Sequence, residues 1–251
     1  MSHNVLVVPD VHGRSFWRDA MSFRGPIVFL GDYHDPYPSD FTPEDAEEPV
    51  EEYLQQSIDN LKELFQFAEE NQDRVTLLIG NHDLEYLCMS VDAYRMDYDH
   101  LDQLMEIYDQ YGHLFRGCKI IGKTIFTHAG ICREWYDELM TSYPNLSKSG
   151  IELNVDAAIL NFLPCVKEAS ASRGGVRDHG GPLWMDYTEL QEGTATILDR
   201  SHYQIVGHTQ QYETGGRVQG GGWSCIDSRR IFVVNPRKPA TTLKVWEGVK
   251  S

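Results

Sequence analysis

The chain has 251 residues, of which 41% are hydrophobic and 24% are charged, and its formal net charge at pH 7 is −16. These fractions are ordinary for a folded globular protein, so they exclude a disordered or fibrous chain. The negative charge disfavours general binding of DNA or RNA, because such a surface repels the phosphate backbone.

Short apolar runs, each closed by a glycine or a polar cluster, predict buried strands between helical segments. In chain order these runs cover residues 5–8, 26–30, 74–79, a broken pair over 119–126, and 203–206. Three further strands are predicted near the end, over 224–227, 231–234 and 241–246. The sequence contains no internal repeat and no long flexible linker, so we expect one α/β domain over residues 1–251.

Apolar residues at spacings of three and four predict two amphipathic helices that cover the sheet, over 47–71 and 101–114. Two irregular segments lie beside predicted strand ends. Residues 35–49 contain four prolines and several acidic residues, and residues 170–182 are rich in glycine, arginine and serine. Loops at such positions often carry binding residues, so both segments are predicted to contact substrate.

Residue types that bind metal ions follow each predicted strand up to residue 206. They are Asp-Val-His at 10–12, Gly-Asp at 31–32, Gly-Asn-His-Asp at 80–83, Thr-His at 127–128 and Gly-His at 207–208. Ligands of open α/β sheets gather outside the carboxyl ends of the strands, so five strand ends can deliver these groups to one place. Helix capping is the alternative for the aspartates and the asparagine, but it does not explain the histidines.

This combination of carboxylate, amide and imidazole groups suits two divalent ions that share a carboxylate. Two such ions typically lie about 3.5–4 Å apart, activate a water molecule as nucleophile and neutralise the charge of a phosphate group. A phosphate substrate is compatible with the net charge, because bound cations reverse the local sign. The ligand types accept manganese, iron, zinc or nickel, and manganese is our leading prediction.

In their order along the chain, the five blocks resemble the calcineurin-like metallophosphoesterase superfamily. The matching patterns are Asp-x-His, Gly-Asp-x-x-Asp, Gly-Asn-His-Asp, Thr-His-Ala-Gly and Gly-His-Thr, between Asp10 and His208. Together with the strand pattern, the resemblance implies a four-layer α-β-β-α sandwich with a two-metal site at the carboxyl ends of the strands. It also implies a phosphoric ester hydrolase that uses a metal-bound hydroxide.

The resemblance implies a role for each matching residue. The ligands of the first ion would be Asp10, His12 and Asp32. The ligands of the second ion would be Asp32, Asn81, His128 and His208, with Asp32 as the bridge. His82 would be the general acid that protonates the leaving oxygen, and Asp35 would orient it.

One branch of the superfamily is closest, that of the Ser/Thr protein phosphatases and bacterial diadenosine tetraphosphatases. Gln210 stands where many other members have a second metal-binding histidine, and both Arg-Gly-Gly at 173–175 and the segment 180–187 resemble this branch. The branch usually has Arg-Gly after the residue equivalent to Asp35, whereas this chain has Pro-Tyr. Because paired guanidinium donors suit phosphate oxygens, Arg173 or Arg177 is predicted to replace the missing arginine.

Three functions are therefore considered. The leading one is a phosphomonoesterase of the protein-phosphatase type, and its partner would be a phosphoprotein. The second is a nucleotide hydrolase that acts on dinucleoside polyphosphates or cyclic nucleotides. The third is a phosphate-binding scaffold without turnover, which the missing arginine motivates but the presence of His82 and Asp35 disfavours.

The cysteines and the apolar runs bear on location. Five cysteines without a Cys-x-x-Cys pair favour reduced thiols and a cytoplasmic protein over a disulfide framework. No apolar run approaches 18 residues, so no membrane span is expected. The sequence makes no prediction about oligomeric state.

Overall fold

The computed structural model describes residues 4–40, 50–88, 95–146, 150–211 and 216–248. The strands in these ranges are β1 (Val5–Val8), β2 (Ile27–Phe29), β3 (Val75–Leu78), β4 (Phe115–Arg116), β5 (Lys119–Ile121), β6 (Thr124–Phe126), β7 (Tyr203–Val206), β8 (Val218–Gly220), β9 (Trp223–Cys225), β10 (Phe232–Val234) and β11 (Lys244–Val245). The α-helices are α1 (Val50–Glu70), α2 (Asn81–Leu87), α3 (Leu101–Tyr111), α4 (Arg133–Ser142), α5 (Gly150–Leu160), α6 (Tyr187–Glu192) and α7 (Pro239–Thr242).

The strands form two sheets. The first has the order β11-β10-β1-β2-β3-β4, and the second has the order β5-β6-β7-β9-β8. Strands β1 to β4 run parallel in the first sheet, and β6, β7 and β9 run parallel in the second. Parallel neighbours end at the same edge of a sheet, so each sheet presents several carboxyl-terminal strand ends side by side.

The alternation of side chains along β1 separates two hydrophobic layers. Val5 and Val7 pack in a cluster that includes Ile205 of the second sheet, so they lie between the sheets. Leu6 and Val8 point to the opposite face and belong to a cluster that includes Leu61 of α1. The strand is buried on both faces, which explains why its sequence is continuously apolar.

Helices cover the outer face of each sheet. The cluster that contains Leu6 and Val8 also includes Ile125 of β6, Trp135 of α4 and Ile159 of α5. The two sheets with their flanking helices form the four-layer α-β-β-α sandwich, so the predicted fold class is confirmed. No helix in the described ranges has both the length and the apolar character needed to span a membrane.

The predicted strands agree best where they are buried on both faces, at 5–8 and 203–206. The prediction of a strand over 241–246 is wrong at its start, because Pro239 opens the short helix α7 there. Helix α5 was not predicted, since the apolar residues of Gly150–Leu160 do not follow a single helical stripe. The first helix was predicted from residue 47, and residues 47–49 lie outside the described ranges.

Candidate metal centre

Two groups of side chains that share Asp32 bring potential metal-binding atoms within 4.8 Å of one another. The first group is Asp10, His12 and Asp32, and the second is Asp32, His128 and His208. These residues follow β1, β2, β6 and β7, so both sheets contribute. We call these five residues, together with Asn81, the strand-end cluster.

His128 has the tautomer that a metal ligand needs. Its Nδ1 donates to the carbonyl oxygen of Leu30 at 2.9 Å, and burial lowers the pKa of the ring, so Nε2 carries a lone pair. That nitrogen lies 2.9 Å from Oδ1 of Asn81 and 3.0 Å from Nδ1 of His208. It also lies 3.6 Å from Oδ2 of Asp32. A cation is the natural partner for these converging acceptors.

His12 repeats this arrangement on the other side of Asp32. Its Nδ1 lies 3.1 Å from the carbonyl oxygens of both His34 and Asp35, so those acceptors fix the ring proton on Nδ1. Its Nε2 lies 3.6 Å from Oδ2 of Asp32, the same oxygen that faces His128. Burial lowers the pKa of His12 well below its ordinary value, so the ring is neutral and able to bind a metal ion.

The carboxylates of the cluster repel one another. Asp10 is fully buried, and burial together with the nearby charges of Asp227 and Asp32 raises its pKa well above the ordinary range. The backbone N–H of His208, 3.0 Å from Oδ2 of Asp10, offsets only part of this cost. Divalent cations would relieve the repulsion, so the donor set fits metal ions bound on both sides of Asp32.

Two glycines allow these side chains to approach closely. A Cβ atom added to Gly80 would lie 2.1 Å from Oδ1 of Asp32, and one added to Gly207 would lie 2.0 Å from Oδ1 of Asp10. Both distances are far inside van der Waals contact. The glycines of Gly-Asn-His-Asp and Gly-His therefore make room for the carboxylates of the neighbouring strand ends.

His82 and Asp35 form a hydrogen-bonded pair next to the cluster. Nδ1 of His82 lies 2.6 Å from Oδ2 of Asp35, and the other oxygen of Asp35 accepts from the hydroxyl of Tyr86 at 2.5 Å. Burial alone would lower the pKa of His82, but the charges of Asp32 and Asp35 outweigh it and raise that pKa. The pair has the geometry of an imidazole oriented by a carboxylate.

Asp83 supports the cluster, although sequence reasoning gave it no role. Its carboxylate accepts from the backbone N–H groups of Asp32 at 2.7 Å, Tyr33 at 3.0 Å and Gly80 at 2.8 Å, and from the hydroxyl of Tyr108 at 2.6 Å. Burial and the nearby Asp32 raise its pKa to about 7. Its position in the first turn of α2, three residues after Gly80, was an available signal for this capping contact.

The two arginines predicted to contact phosphate lie in different surroundings. Arg173 has Nε 2.9 Å from Oδ2 of Asp186 and donates to the hydroxyl of Thr209, the residue after His208. Arg177 is bound by two carboxylates, 2.5 Å from Glu138 and 3.2 Å from Glu168. That either of them contacts phosphate stays a prediction.

A third arginine, Arg95, lies directly beside the cluster. Its Nη2 lies 3.2 Å from Nε2 of His82, and its Nη1 donates to the carbonyl oxygen of Asp35 at 2.7 Å. The guanidinium lies 3.7 Å from the ring centroid of Tyr37, and that ring makes an edge contact with His12. Arg95 belongs to no motif block, so sequence reasoning missed it.

A comparison with protein families decides the identity. The model of the calcineurin-like phosphoesterase family matches residues 3–212. The chain belongs to this family. Calcineurin-like phosphoesterases are dimetal-dependent hydrolases, in agreement with the two ligand groups that share Asp32.

Two solved structures of cold-active protein tyrosine phosphatases resemble this calcineurin-like phosphoesterase. One has 19% sequence identity and a TM-score of 0.51, and the match covers 92% of this chain and 73% of that one. The other, from a psychrophilic Shewanella species, has 17% identity and a TM-score of 0.52, with 97% and 80% covered. At such identities the likeness concerns the fold alone. No curated protein sequence matches the chain.

Proposed function

We propose that the protein is a phosphomonoesterase that depends on two divalent metal ions, with manganese as the preferred metal. One observation carries the proposal: metal-binding acceptors converge on both sides of Asp32, and an imidazole–carboxylate pair lies beside them. The first ion would be held by Asp10, His12 and Asp32. The second would be held by Asp32, Asn81, His128 and His208.

Each group has a task in hydrolysis. Ions bound by these residues would supply Lewis-acid neutralisation of phosphate charge and a lowered pKa for a water nucleophile. His82 donates a proton to the leaving oxygen, and the charges of Asp32 and Asp35, which raise its pKa despite burial, favour the protonated form. Asp35 holds Nδ1 of His82 at 2.6 Å and so directs Nε2 toward the substrate.

A phosphoprotein is the proposed substrate. The similar solved structures are of protein tyrosine phosphatases, which adds phosphotyrosine to phosphoserine and phosphothreonine as candidates. Trp184 is partly exposed, and its ring lies 5.6 Å from that of His208, where it could contact an aromatic group of the substrate. The same ring favours a second candidate, hydrolysis of dinucleoside polyphosphates or cyclic nucleotides, because it could also stack on a base.

The first test uses one preparation that is stripped of metal and refilled with manganese. We expect about two ions per chain and restored hydrolysis of p-nitrophenyl phosphate. Parallel assays with a phosphotyrosine peptide, a phosphoserine peptide, diadenosine tetraphosphate and a cyclic nucleotide then identify the substrate class. Two ions without hydrolysis of any substrate would refute the enzyme and leave a phosphate-binding scaffold.

We also propose a cytoplasmic location. All five cysteines are free in the structure, which supports a reducing compartment such as the cytoplasm. The net charge of −16 supports a discrete phosphorylated substrate over a nucleic-acid surface.

A further inference from the structure

Arg95 places a positive charge beside the nitrogen of His82 that faces the substrate. We propose that Arg95 binds the non-bridging oxygens of the substrate phosphate and so replaces the arginine that the related phosphatases have after Asp35. The inference rests on the proposed phosphoesterase function. Neither Arg173 nor Arg177 is needed for this contact.

The position of Nη2 carries the first part of the argument. It lies 3.2 Å from Nε2 of His82, the atom that would protonate the leaving oxygen. A general acid must come within about 2.6–3.2 Å of the oxygen that it protonates. The other oxygens of the same phosphate group then fall within hydrogen-bonding reach of the guanidinium.

The charge of Arg95 is available for an anion. Its guanidinium donates to a carbonyl oxygen and lies beside an imidazole, and among the described residues no carboxylate oxygen lies within 4.0 Å of its nitrogens. Arg14, Arg173 and Arg177 instead lie 2.7, 2.9 and 2.5 Å from a carboxylate oxygen. Within the described part of the chain, a phosphate would therefore meet a guanidinium without a carboxylate contact at Arg95 and a paired one at the other three.

Tyr37 supports the guanidinium in this place. The ring stacks 3.7 Å from the guanidinium carbon, and the hydrogen bond from Nη1 to the carbonyl oxygen of Asp35 fixes its plane. Tyr37 belongs to the Pro-Tyr pair that replaces the usual Arg-Gly. The substitution therefore exchanges an arginine in that loop for an aromatic platform that holds an arginine from further along the chain.

The backbone of Arg95 has a positive φ angle, as several of the site residues do. Seven described residues other than glycine have a positive φ, and five of them are His12, Asp32, Asp35, Arg95 and His208. Such conformations cost energy and persist where the surrounding structure imposes them, as in active sites. Arg95 shares this feature with four of the residues assigned to metal binding and proton transfer.

The test compares Arg95→Ala and Arg95→Lys with Arg133→Ala. Arg133 pairs with Asp137 at 3.7 Å on α4 and serves as the matched control. We expect the dissociation constant of orthophosphate for the manganese-loaded protein to rise about ten- to a hundredfold in Arg95→Ala. Arg95→Lys should recover only part of the affinity, because lysine lacks the planar fork. Metal content should be unchanged in all three variants.

Activity and chemical rescue give a second readout. Hydrolysis of p-nitrophenyl phosphate by Arg95→Ala should fall by a similar factor in kcat/KM, and added guanidinium ion should restore part of it. A second pair, Tyr37→Phe and Tyr37→Ala, tests the platform, and only the alanine variant should weaken phosphate binding. These results separate a phosphate contact from a structural role, which guanidinium would not rescue.

Different results would contradict the phosphoesterase function and the assignment of Arg95. If the wild-type protein turns over but Arg95→Ala keeps the wild-type phosphate affinity and kcat/KM, the assignment of Arg95 is wrong and the enzyme stands. If the wild-type protein binds phosphate through Arg95 without turnover, the assignment stands and the enzyme is wrong. Loss of metal from Arg95→Ala would also overturn the assignment, because it would show a structural role.

Discussion

Two clusters that contain Asp and His residues lie side by side and differ in how their polar groups are paired. One is the strand-end cluster. The other, which we call the His34 relay, runs from Ser57 through His34, Asp97 and His100 to Glu51. Its successive distances are 3.0, 3.2, 3.1 and 3.1 Å. The two clusters meet at the carbonyl oxygen of His34, which lies 3.1 Å from Nδ1 of His12.

The difference lies in how donors and acceptors are matched. In the relay, the hydroxyl of Ser57 can donate to one nitrogen of His34, and the other nitrogen can donate to Asp97. All four ring nitrogens of His34 and His100 and both carboxylate oxygens of Asp97 have a partner within the protein. In the strand-end cluster, Nε2 of His128 faces oxygen atoms of Asp32 and Asn81, so acceptors meet acceptors, and Nδ1 of His208 lies at 3.0 Å from the same nitrogen. Similar residue types therefore make a structural network in one place and a set of groups that could hold metal ions in the other.

The largest effect that separates the clusters is expected from Asp32→Asn. Asp32 is common to both ligand groups, and its loss removes charge from both metal positions. We expect the metal content to fall and phosphatase activity to drop by several kcal/mol in transition-state stabilisation, about a thousandfold or more. Metal analysis and the p-nitrophenyl phosphate assay measure this. Asp97→Asn, in the relay, should keep its metal, and equal metal loss in both variants would remove the distinction.

His82→Ala should have the next largest effect, on turnover and not on metal content. General acids contribute roughly 10²- to 10⁴-fold. The loss should be larger for phenyl phosphate than for p-nitrophenyl phosphate, because p-nitrophenolate leaves without the help of a proton. Steady-state kinetics on the two esters test this point. An equal loss on both esters would show that His82 acts in some way other than protonating the leaving group.

Asp83→Asn should weaken the metal site from outside the ligand set. Asp83 fixes the backbone at Asp32 and Gly80 through hydrogen bonds of 2.7 and 2.8 Å. Removal of such supporting contacts typically costs about 10- to 100-fold in metal affinity or activity. Titration of the stripped protein with manganese measures the affinity. Unchanged affinity would mean that the ligands are held by their own strands alone.

The strand-end cluster was predictable from the sequence, whereas the relay was not. Each cluster residue follows a short apolar strand and belongs to a motif block, so fold and site could be inferred together. The relay joins residues 34, 51, 57, 97 and 100, which come from helices and loops without a shared motif. Their proximity results from tertiary packing of α1 against the segment before α3, which local patterns do not encode.

Arg95 lies beside the strand-end cluster, and the sequence motifs did not predict it either. The loss of the usual arginine after Asp35 was visible in the sequence, and arginines of a glycine-rich loop were the natural replacements. The guanidinium beside His82 instead comes from residue 95, and its position depends on stacking against Tyr37. A contact between residues 58 positions apart, at 37 and 95, leaves no periodic pattern in the sequence. Motifs predict the groups that need fixed backbone geometry, but not a long side chain that reaches in from elsewhere.

Ser57→Ala, in the relay, should lower the stability of the protein without changing its metal content. The variant leaves Nδ1 of His34 without its hydroxyl partner in a buried position. We expect the free energy of unfolding to fall by about 1–3 kcal/mol, with two metal ions still bound. Chemical denaturation measures the loss, and Ser22→Ala, at an exposed serine, is the control. Loss of metal from Ser57→Ala would show that the relay supports the site through His34.

The smallest effect is a pH dependence of stability at the end of the relay. Burial would lower the pKa of His100, but the hydrogen bonds to Asp97 and Glu51 outweigh it and raise that pKa. A raised pKa means that the contribution to stability is fully present below the ordinary value of about 6.5 and is lost as the pH rises through the folded-state pKa. His100→Gln should therefore flatten the decline of the unfolding free energy above about pH 6.5, by less than about 1 kcal/mol. Chemical denaturation over roughly pH 6–9 measures this pH dependence. His113→Gln, at an exposed histidine, is the control. Parallel curves for wild type and His100→Gln would show that the ion pairs of the relay do not stabilise the fold.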